Sequence, residues 1–256
     1  MKKCIWCLQL NSDSAEEHII PKALGCPDGF KFDDGTVCES CNNKMGHLDQ
    51  AVINDFDIVS FMAGVKQKGK EQQLIHSRGN MTGGYGPEGK FLTLNMGPGV
   101  IQDSLNKPVA PFNGGERHIK GSFVKNENIE EIIFGFKFGC SKKFRRGIYK
   151  IALSSLAFFL GQNKVIGNDF NSIRGFVKKG EGDRTIFIKG SADRKYRNQV
   201  WSPYVNDKGH YSIVIRLAFV ELVADLSPDQ SITPELMKMS KETYGDKDWT
   251  FMPQKT

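Results

Sequence analysis

Cys4-Ile-Trp-Cys7 and Cys38-Glu-Ser-Cys41 are two C-x-x-C pairs, and thirty residues separate them. Two residues between thiolates allow one tight turn to present both sulfurs to a tetrahedral ion. In a reducing compartment this pattern is typical of metal binding rather than of a disulfide. The spacing therefore predicts one structural zinc site made of four cysteines. The two remaining cysteines fit no spacing rule and are predicted to be packing residues: Cys26 and Cys140.

Between the pairs lies Glu17-His-Ile-Ile-Pro21, and the second pair runs directly into Asn42-Asn-Lys-Met-Gly-His-Leu-Asp49. A histidine flanked by two isoleucines would, taken alone, favour a buried strand histidine. The position of His18 between two metal-binding turns favours a functional role instead. A helix should follow the second pair, because apolar residues recur on one face at spacings of three and four: Met45, Leu48, Val52, Phe56 and Val59.

This order of motifs resembles the HNH endonucleases, in the branch whose ββα-metal core, a treble-clef-like module, is braced by a four-cysteine zinc. The matching residues span about 4–60 of the chain. The resemblance implies an α+β protein with a nuclease module at residues 1–60. A larger, basic, mixed α+β region at residues 61–256 would bind substrate or a partner.

The resemblance also implies roles for individual residues. His18 would be the general base that deprotonates the attacking water. Glu17 and Asn42 would hold one catalytic Mg²⁺ or Mn²⁺ ion, and hard oxygen donors suit these ions. The implied activity is metal-dependent hydrolysis of DNA, which leaves 5′-phosphate and 3′-hydroxyl ends. Asn43 and His47, one helical turn apart, form a rival ligand pair.

The chain departs from the family pattern at three points. Glu17 stands where Asp or His is usual, and the middle asparagine of the pattern is missing, so that Asp33 or Asp34 is the candidate for its loop-bracing role. Asn42 stands where the last histidine of the motif is usual. A regular strand would direct Glu17 and His18 to opposite faces, so both reach one phosphate only if the strand bends.

Charge is divided unevenly along the chain. The first sixty residues hold five Lys or Arg against ten Asp or Glu, whereas the remainder holds 30 against 19. Duplex affinity would therefore come mostly from beyond residue 60, because cationic side chains supply most non-specific DNA affinity. For each basic cluster the alternative is a solvated face that keeps the protein soluble. The candidate phosphate-binding residues are Lys44, Lys142, Lys143, Arg145 and Arg146.

Other stretches predict structure or exclude functions. Gly84-Tyr-Gly-Pro-Glu-Gly89 has dinucleotide-loop spacing but precedes an alternating segment, which indicates a hairpin or loop. A helix is predicted over 141–160, and strands over 185–189 and 211–223. No phosphate-binding P-loop or zinc-deaminase motif occurs. No apolar run reaches the about 20 residues of a membrane helix, so we expect no membrane association and a cytoplasmic protein.

Three interpretations of function stay open at this point. The favoured one is an HNH endonuclease acting on DNA, with RNA not excluded. The alternative is a non-catalytic zinc module that binds nucleic acid or protein. In the third, residues 1–60 are the effector and the rest a sensor or partner-binding region, as in prokaryotic restriction or anti-phage systems. A protein partner or homo-oligomerisation is compatible with each interpretation.

Overall fold

The computed structural model describes the backbone of residues 2–11, 16–62, 74–76, 81–85, 92–96, 120–126, 129–135, 141–190, 198–218, 220–244 and 250–251. Side chains are described for residues 2–11, 16–56, 141–188, 198–218 and 220–238. Helices and strands both occur over these ranges, which confirms a mixed helix and strand protein. The chain divides into two compact units, Met1–Phe56 with Ser141–Thr256, and Asp57–Cys140.

The first segment contains two short antiparallel hairpins followed by a long helix. The hairpin strands are β1 (Lys2–Lys3) with β2 (Leu10–Asn11), and β3 (Glu17–His18) with β4 (Lys31–Phe32). A 3-10 turn at Lys22–Leu24 lies between β3 and β4, and α1 (Glu39–Met62) follows them. The predicted helix and its apolar face are confirmed, because Met45, Leu48, Val52 and Phe56 are buried. The side chain of Val59 lies outside the described residues.

The unit Asp57–Cys140 is described by its strands. A three-stranded antiparallel sheet consists of β5 (Leu74–His76), β6 (Met81–Tyr85) and β7 (Leu92–Met96). A separate hairpin pairs β8 (Lys120–Asn126) with β9 (Ile129–Gly135). The glycine-rich stretch that begins at Gly84 therefore joins two paired strands, which agrees with a hairpin and not with a dinucleotide loop. Cys140 lies outside the described residues.

After Ser141 the chain forms helices and then an antiparallel sheet. The helices are α2 (Lys142–Leu160), α3 (Gln162–Val165) and α4 (Asn171–Lys179), with a 3-10 turn at Asn168–Phe170. The remaining elements are β10 (Ile186–Gly190), β11 (Gln199–Val200), β12 (Tyr204–Val205), β13 (Tyr211–Leu217), β14 (Val220–Asp225), α5 (Thr233–Tyr244) and β15 (Thr250–Phe251). The sheet order is β11-β13-β14-β10-β15, and β12 also pairs with β13.

Two of these elements test predicted boundaries. The Ser141 side chain caps α2 by accepting a hydrogen bond from the Phe144 main chain at 3.1 Å, and the helix ends before Gly161, as predicted. The strand predicted over 211–223 is wrong in its length, because β13 and β14 are two strands joined by a tight turn. Ala218 turns the chain there with a φ of 58°. The apolar alternation continues through the turn and conceals it.

Helices α1 and α2 pack closely within the first unit. A Cβ atom on Gly147 would lie 2.4 Å from Val52 Cγ2 and 2.9 Å from the Leu48 main-chain oxygen, so this approach requires glycine. The rings of Phe56 and Phe144 stack with centroids 6.2 Å apart. This packing is the physical reason that residues 1–56 join residues 141–256 in one unit. The predicted division placed the boundary at residue 60 and assigned all of 61–256 to a second region.

Among the described residues, no helix combines the length and the apolar character needed to cross a membrane.

We expect Gly147→Ala to destabilise the protein by about 1–3 kcal/mol, because the added methyl group overpacks the contact between α1 and α2. Gly46→Ala in α1 is the matched control: nothing lies within 4 Å of its Cβ position. There the better helix propensity of alanine should stabilise by about 0.5–1 kcal/mol. Urea unfolding of the zinc-loaded proteins measures both. Equal effects of the two substitutions would contradict the close packing at Gly147.

Candidate functional site

The four predicted zinc ligands lie together. Cys4 and Cys7 flank the turn after β1, Cys38 directly precedes α1, and Cys41 lies in the first turn of that helix. All four sulfurs lie within 4.8 Å of one another. Zinc bonds of about 2.3 Å in a tetrahedron separate the sulfurs by about 3.8 Å. The Cys7 and Cys38 sulfurs are 3.8 Å apart, so the cluster can hold a metal ion such as zinc.

Main-chain and thiol donors surround the Cys4 sulfur. The main-chain N–H groups of Trp6 and Cys38 both donate to it at 3.4 Å. The hydrogen bond from the Cys41 thiol, aided by these N–H groups, lowers the pKa of Cys4 to about 4. The same bond raises the pKa of Cys41, which donates its proton. The cluster therefore already favours a thiolate, the form of cysteine that binds zinc.

Leu8 completes the first metal-binding turn in a conformation that leucine disfavours. Its φ is 64°, and its N–H donates to the Cys4 carbonyl at 2.9 Å. A left-handed backbone costs an L-residue about 1–2 kcal/mol relative to the right-handed one. The turn geometry that presents Cys4 and Cys7 is therefore retained against a local preference.

Glu17 and His18 point to opposite sides of the β3–β4 hairpin. Glu17 pairs in register with Phe32, and His18 with Lys31. The Glu17 side chain is 3% exposed and that of His18 is 24% exposed. The alternation expected of a regular strand therefore holds, and β3 does not bend to bring the two side chains together.

The Glu17 carboxylate is engaged inside the protein. Lys150 Nζ, from α2, lies 2.7 Å from Glu17 Oε1, and 2.8 and 2.6 Å from the two carboxylate oxygens of Asp49. Burial opposes the charge of Lys150, but the two carboxylates together raise its pKa, so it remains an ammonium ion. Burial raises the pKa of Glu17, against the attraction of Lys150. The predicted ligand of the catalytic ion thus faces a lysine ammonium group.

The open side of the hairpin carries His18, Glu16 and Lys31, and Asn42 of α1 bonds to the main chain there. His18 Nε2 lies 3.5 Å from Glu16 Oε1, and Asn42 Nδ2 donates to the Glu16 main-chain oxygen at 3.2 Å. Lys31 Nζ lies 2.6 Å from Glu16 Oε2, and its hydrogen bond lowers the pKa of that carboxyl. Glu16 therefore contacts both residues, His18 through its carboxylate and Asn42 through its main-chain oxygen, whereas Glu17 faces the other side of the hairpin. Residues two apart in an extended chain share a face, so the position of Glu16 two residues before His18 is the sequence signal that could have identified it.

The other residues singled out near the start of α1 are exposed. Asn43, Lys44 and His47 all face solvent, and His47 Nδ1 lies 3.0 Å from the Lys44 carbonyl of its own helix. The rival pair therefore stays on the helix surface. Of the two candidates for loop bracing, Asp34 accepts from the Thr36 main chain through Oδ1 at 3.0 Å and pairs with Lys2 through Oδ2, whereas Asp33 Oδ2 lies 3.9 Å from Lys31 Nζ.

Half of the predicted basic cluster on α2 has a structural role. Arg145 is buried and its guanidinium lies 2.7 Å from Asp183 Oδ1. Arg146 donates to the Val177 carbonyl at 2.9 and 2.7 Å, and to that of Lys178 at 3.0 Å, near the end of α4. These two arginines hold helices in place. Lys142 and Lys143 are exposed and available to a phosphate.

Comparison with protein-family models, with curated proteins and with solved structures finds no match for this chain. The assignment of function therefore depends on the geometry described above.

We expect one tightly bound zinc per chain, measurable by elemental analysis. Cys38→Ser should lose the zinc, whereas Cys26→Ser should retain it. The Cys26 thiol donates a hydrogen bond to the Phe30 carbonyl and is not part of the four-cysteine cluster. Chelation should expose Trp6, which is buried beside Cys4, and shift its fluorescence to the red. Acidification should release the metal, since protons compete for thiolates. Absence of zinc, or a disulfide among the four cysteines in reduced protein, would contradict the site.

Proposed function

We propose that this protein is a metal-dependent endonuclease of the HNH type that hydrolyses phosphodiester bonds in DNA. The observation that carries the proposal is the position of His18. It lies partly exposed on β3 beside Glu16, whose main-chain oxygen accepts from Asn42 of α1, and two ligands of the four-cysteine cluster lie at the start of that helix. A binding module has no need of a partly exposed histidine beside a carboxylate whose backbone is tied to an amide.

In this proposal the two hairpins and α1 form the ββα-metal module, and zinc in the cysteine cluster is structural. His18 acts as general base, because an imidazole can accept a proton near neutral pH. It takes one proton from a water molecule as the water oxygen bonds to phosphorus. The P–O3′ bond breaks, the leaving oxygen is protonated by solvent, and the products carry a 5′-phosphate and a 3′-hydroxyl.

A divalent ion, Mg²⁺ or Mn²⁺, would supply positive charge beside the scissile phosphate when bound. The amide of Asn42 and a neighbouring carboxylate are the oxygen donors that this surface offers. The Asn42 Nδ2 bond to Glu16 orients the amide, so that Oδ1 is the end not used in that bond. Glu17 is the carboxylate that the family resemblance implies, but its contact with Lys150 places it on the buried side.

Phosphate contacts would come from exposed lysines rather than from the whole basic region. Lys142, Lys143 and Lys44 are exposed, whereas Arg145 and Arg146 bond within the protein. We propose a cytoplasmic location, since reduced thiols there keep the cysteines available to zinc. The role as effector of a restriction or anti-phage system follows from the family resemblance and belongs to the same proposal.

His18→Ala should reduce Mg²⁺- or Mn²⁺-dependent DNA cleavage by about 100-fold to 10,000-fold, the usual contribution of a positioned general base. Zinc content and DNA affinity should stay near wild type. His47→Ala is the matched control, because this histidine lies exposed on α1 and should leave cleavage unchanged. Time courses on plasmid and linear DNA provide the measurement. Equal cutting by His18→Ala would overturn the assignment, and a wild-type protein that cuts nothing would favour the non-catalytic zinc module.

Replacing Lys142 and Lys143 together by alanine should weaken DNA binding at every sequence. The slope of log affinity against log salt should fall by about 0.9 for each phosphate that the variant no longer neutralises. Lys208→Ala, at an exposed lysine in the loop between β12 and β13, controls for the removal of one positive charge. A salt titration by fluorescence anisotropy tests this. An unchanged slope in the double variant would show that these lysines belong to a solvated face.

A further inference from the structure

Two adjacent glutamates, Glu16 and Glu17, occupy opposite environments. The Glu16 side chain is 48% exposed, whereas that of Glu17 is 3% exposed. They differ because Glu16 directly precedes β3 and Glu17 is its first residue, and successive residues of an extended chain point to opposite sides. Only Glu16 shares a face with His18, the residue proposed to activate water.

Glu17 is poorly placed to take up a metal ion. Its Oε1 lies 2.7 Å from Lys150 Nζ, and the same ammonium lies 2.6 Å from Asp49 Oδ2. Lys150 itself is 1% exposed, so it has no route to solvent without repacking α2. A cation that replaced it at Glu17 would leave a buried lysine charge unpaired, which is strongly unfavourable.

Glu16 meets the requirements for a cation ligand. Its Oε1 lies 3.5 Å from His18 Nε2, and its main-chain oxygen accepts from Asn42 Nδ2 at 3.2 Å, so the carboxylate lies beside the candidate base and the backbone of the same residue is tied to Asn42. Its present counter-ion is Lys31, at 2.6 Å, in an exposed pair. Exposed pairs of this kind contribute little, so a divalent ion can displace the Lys31 ammonium.

We propose that Glu16, and not Glu17, supplies the carboxylate of the divalent-cation site, together with Asn42, while Lys31 occupies that carboxylate in the absence of the cation. Glu17 is instead a structural residue that fixes β3 on Lys150. This inference rests on the proposed function, because the ion concerned is the Mg²⁺ or Mn²⁺ of that proposal. The family resemblance implies the role of carboxylate ligand for Glu17 instead.

The test compares Glu16→Gln with Glu17→Gln in the full, zinc-loaded chain, using Mn²⁺ alone as the probe and electron paramagnetic resonance of free Mn²⁺ as the readout. Glu16→Gln should raise the Kd for Mn²⁺ about 10-fold or more, with unchanged Tm and zinc content. Glu17→Gln should leave the Kd near wild type and lower Tm. Unchanged Mn²⁺ affinity in Glu16→Gln, or loss of affinity in a folded Glu17→Gln, overturns the inference.

A second variant keeps the test decisive if Glu17→Gln does not fold. Lys31→Met removes the competing ammonium from an exposed position and should tighten Mn²⁺ binding. Lys22→Met controls for the general removal of one nearby positive charge, because Lys22 is also exposed and attracts Glu16 only at longer range. Equal effects of the two variants would count against Lys31 as the competitor and against Glu16 as the ligand.

The outcome separates this inference from the proposed function. If the wild-type protein cuts DNA and Glu16→Gln binds Mn²⁺ as wild type does, the inference fails and the nuclease stands. If Glu16→Gln loses Mn²⁺ but His18→Ala leaves cleavage unchanged, the cation site stands and the assignment of the base fails. A wild-type protein that binds no Mn²⁺ overturns the inference directly, whatever its activity.

Discussion

The buried ammonium of Lys150 is the constraint on which the arrangement of the site depends. It pairs with Glu17 of β3 and Asp49 of α1, and so joins both elements to α2 across 101 residues of sequence between Asp49 and Lys150. A buried cation of this kind is tolerated only with its partners in place. Glu17 must therefore face inward, and the alternation of an extended chain then turns its two neighbours, His18 and Glu16, outward. The orientation of His18, the candidate base on β3, therefore depends on Lys150 of α2.

Local patterns predicted a large part of this fold. The four cysteines, the apolar face of α1 and the limits of α2 depend on spacing and capping within a few residues, and these are confirmed. The pairing of Glu17 was not predictable in the same way, because its partner is distant in sequence and no alternation of residues near Lys150 indicates it. Position 218 shows a different limit: an alanine adopts the turn conformation there, where sequence rules expect glycine.

The net charge of the sequence overstated the basic surface. Two arginines in the C-terminal part are used inside the protein, since Arg174 donates to the carbonyls of Val165 and Gly167, and Arg184 to those of Asp225 and Ser227. Guanidinium groups suit this role because they present several donors in a rigid plane. Counting charges along the chain cannot separate such groups from those that face solvent. Among the residues whose side chains are described, the exposed basic surface is accordingly smaller than the composition indicates, and it is composed mainly of lysine.

The stacked pair of Phe56 and Phe144 has a consequence for the segment of chain that lies between them. The chain leaves the first unit after Phe56 and re-enters it at Ser141, so both ends of the intervening segment are anchored at neighbouring points by rings 6.2 Å apart. Chain ends this close together allow a segment to be inserted into a fold without disturbing it. Each doubling of the length of such a segment adds only about 0.6 kcal/mol to the entropic cost of closing the loop. Residues 57–140 thus occupy a position at which a change in length should cost the first unit little stability, while that unit keeps its metal-binding turns and its buried lysine.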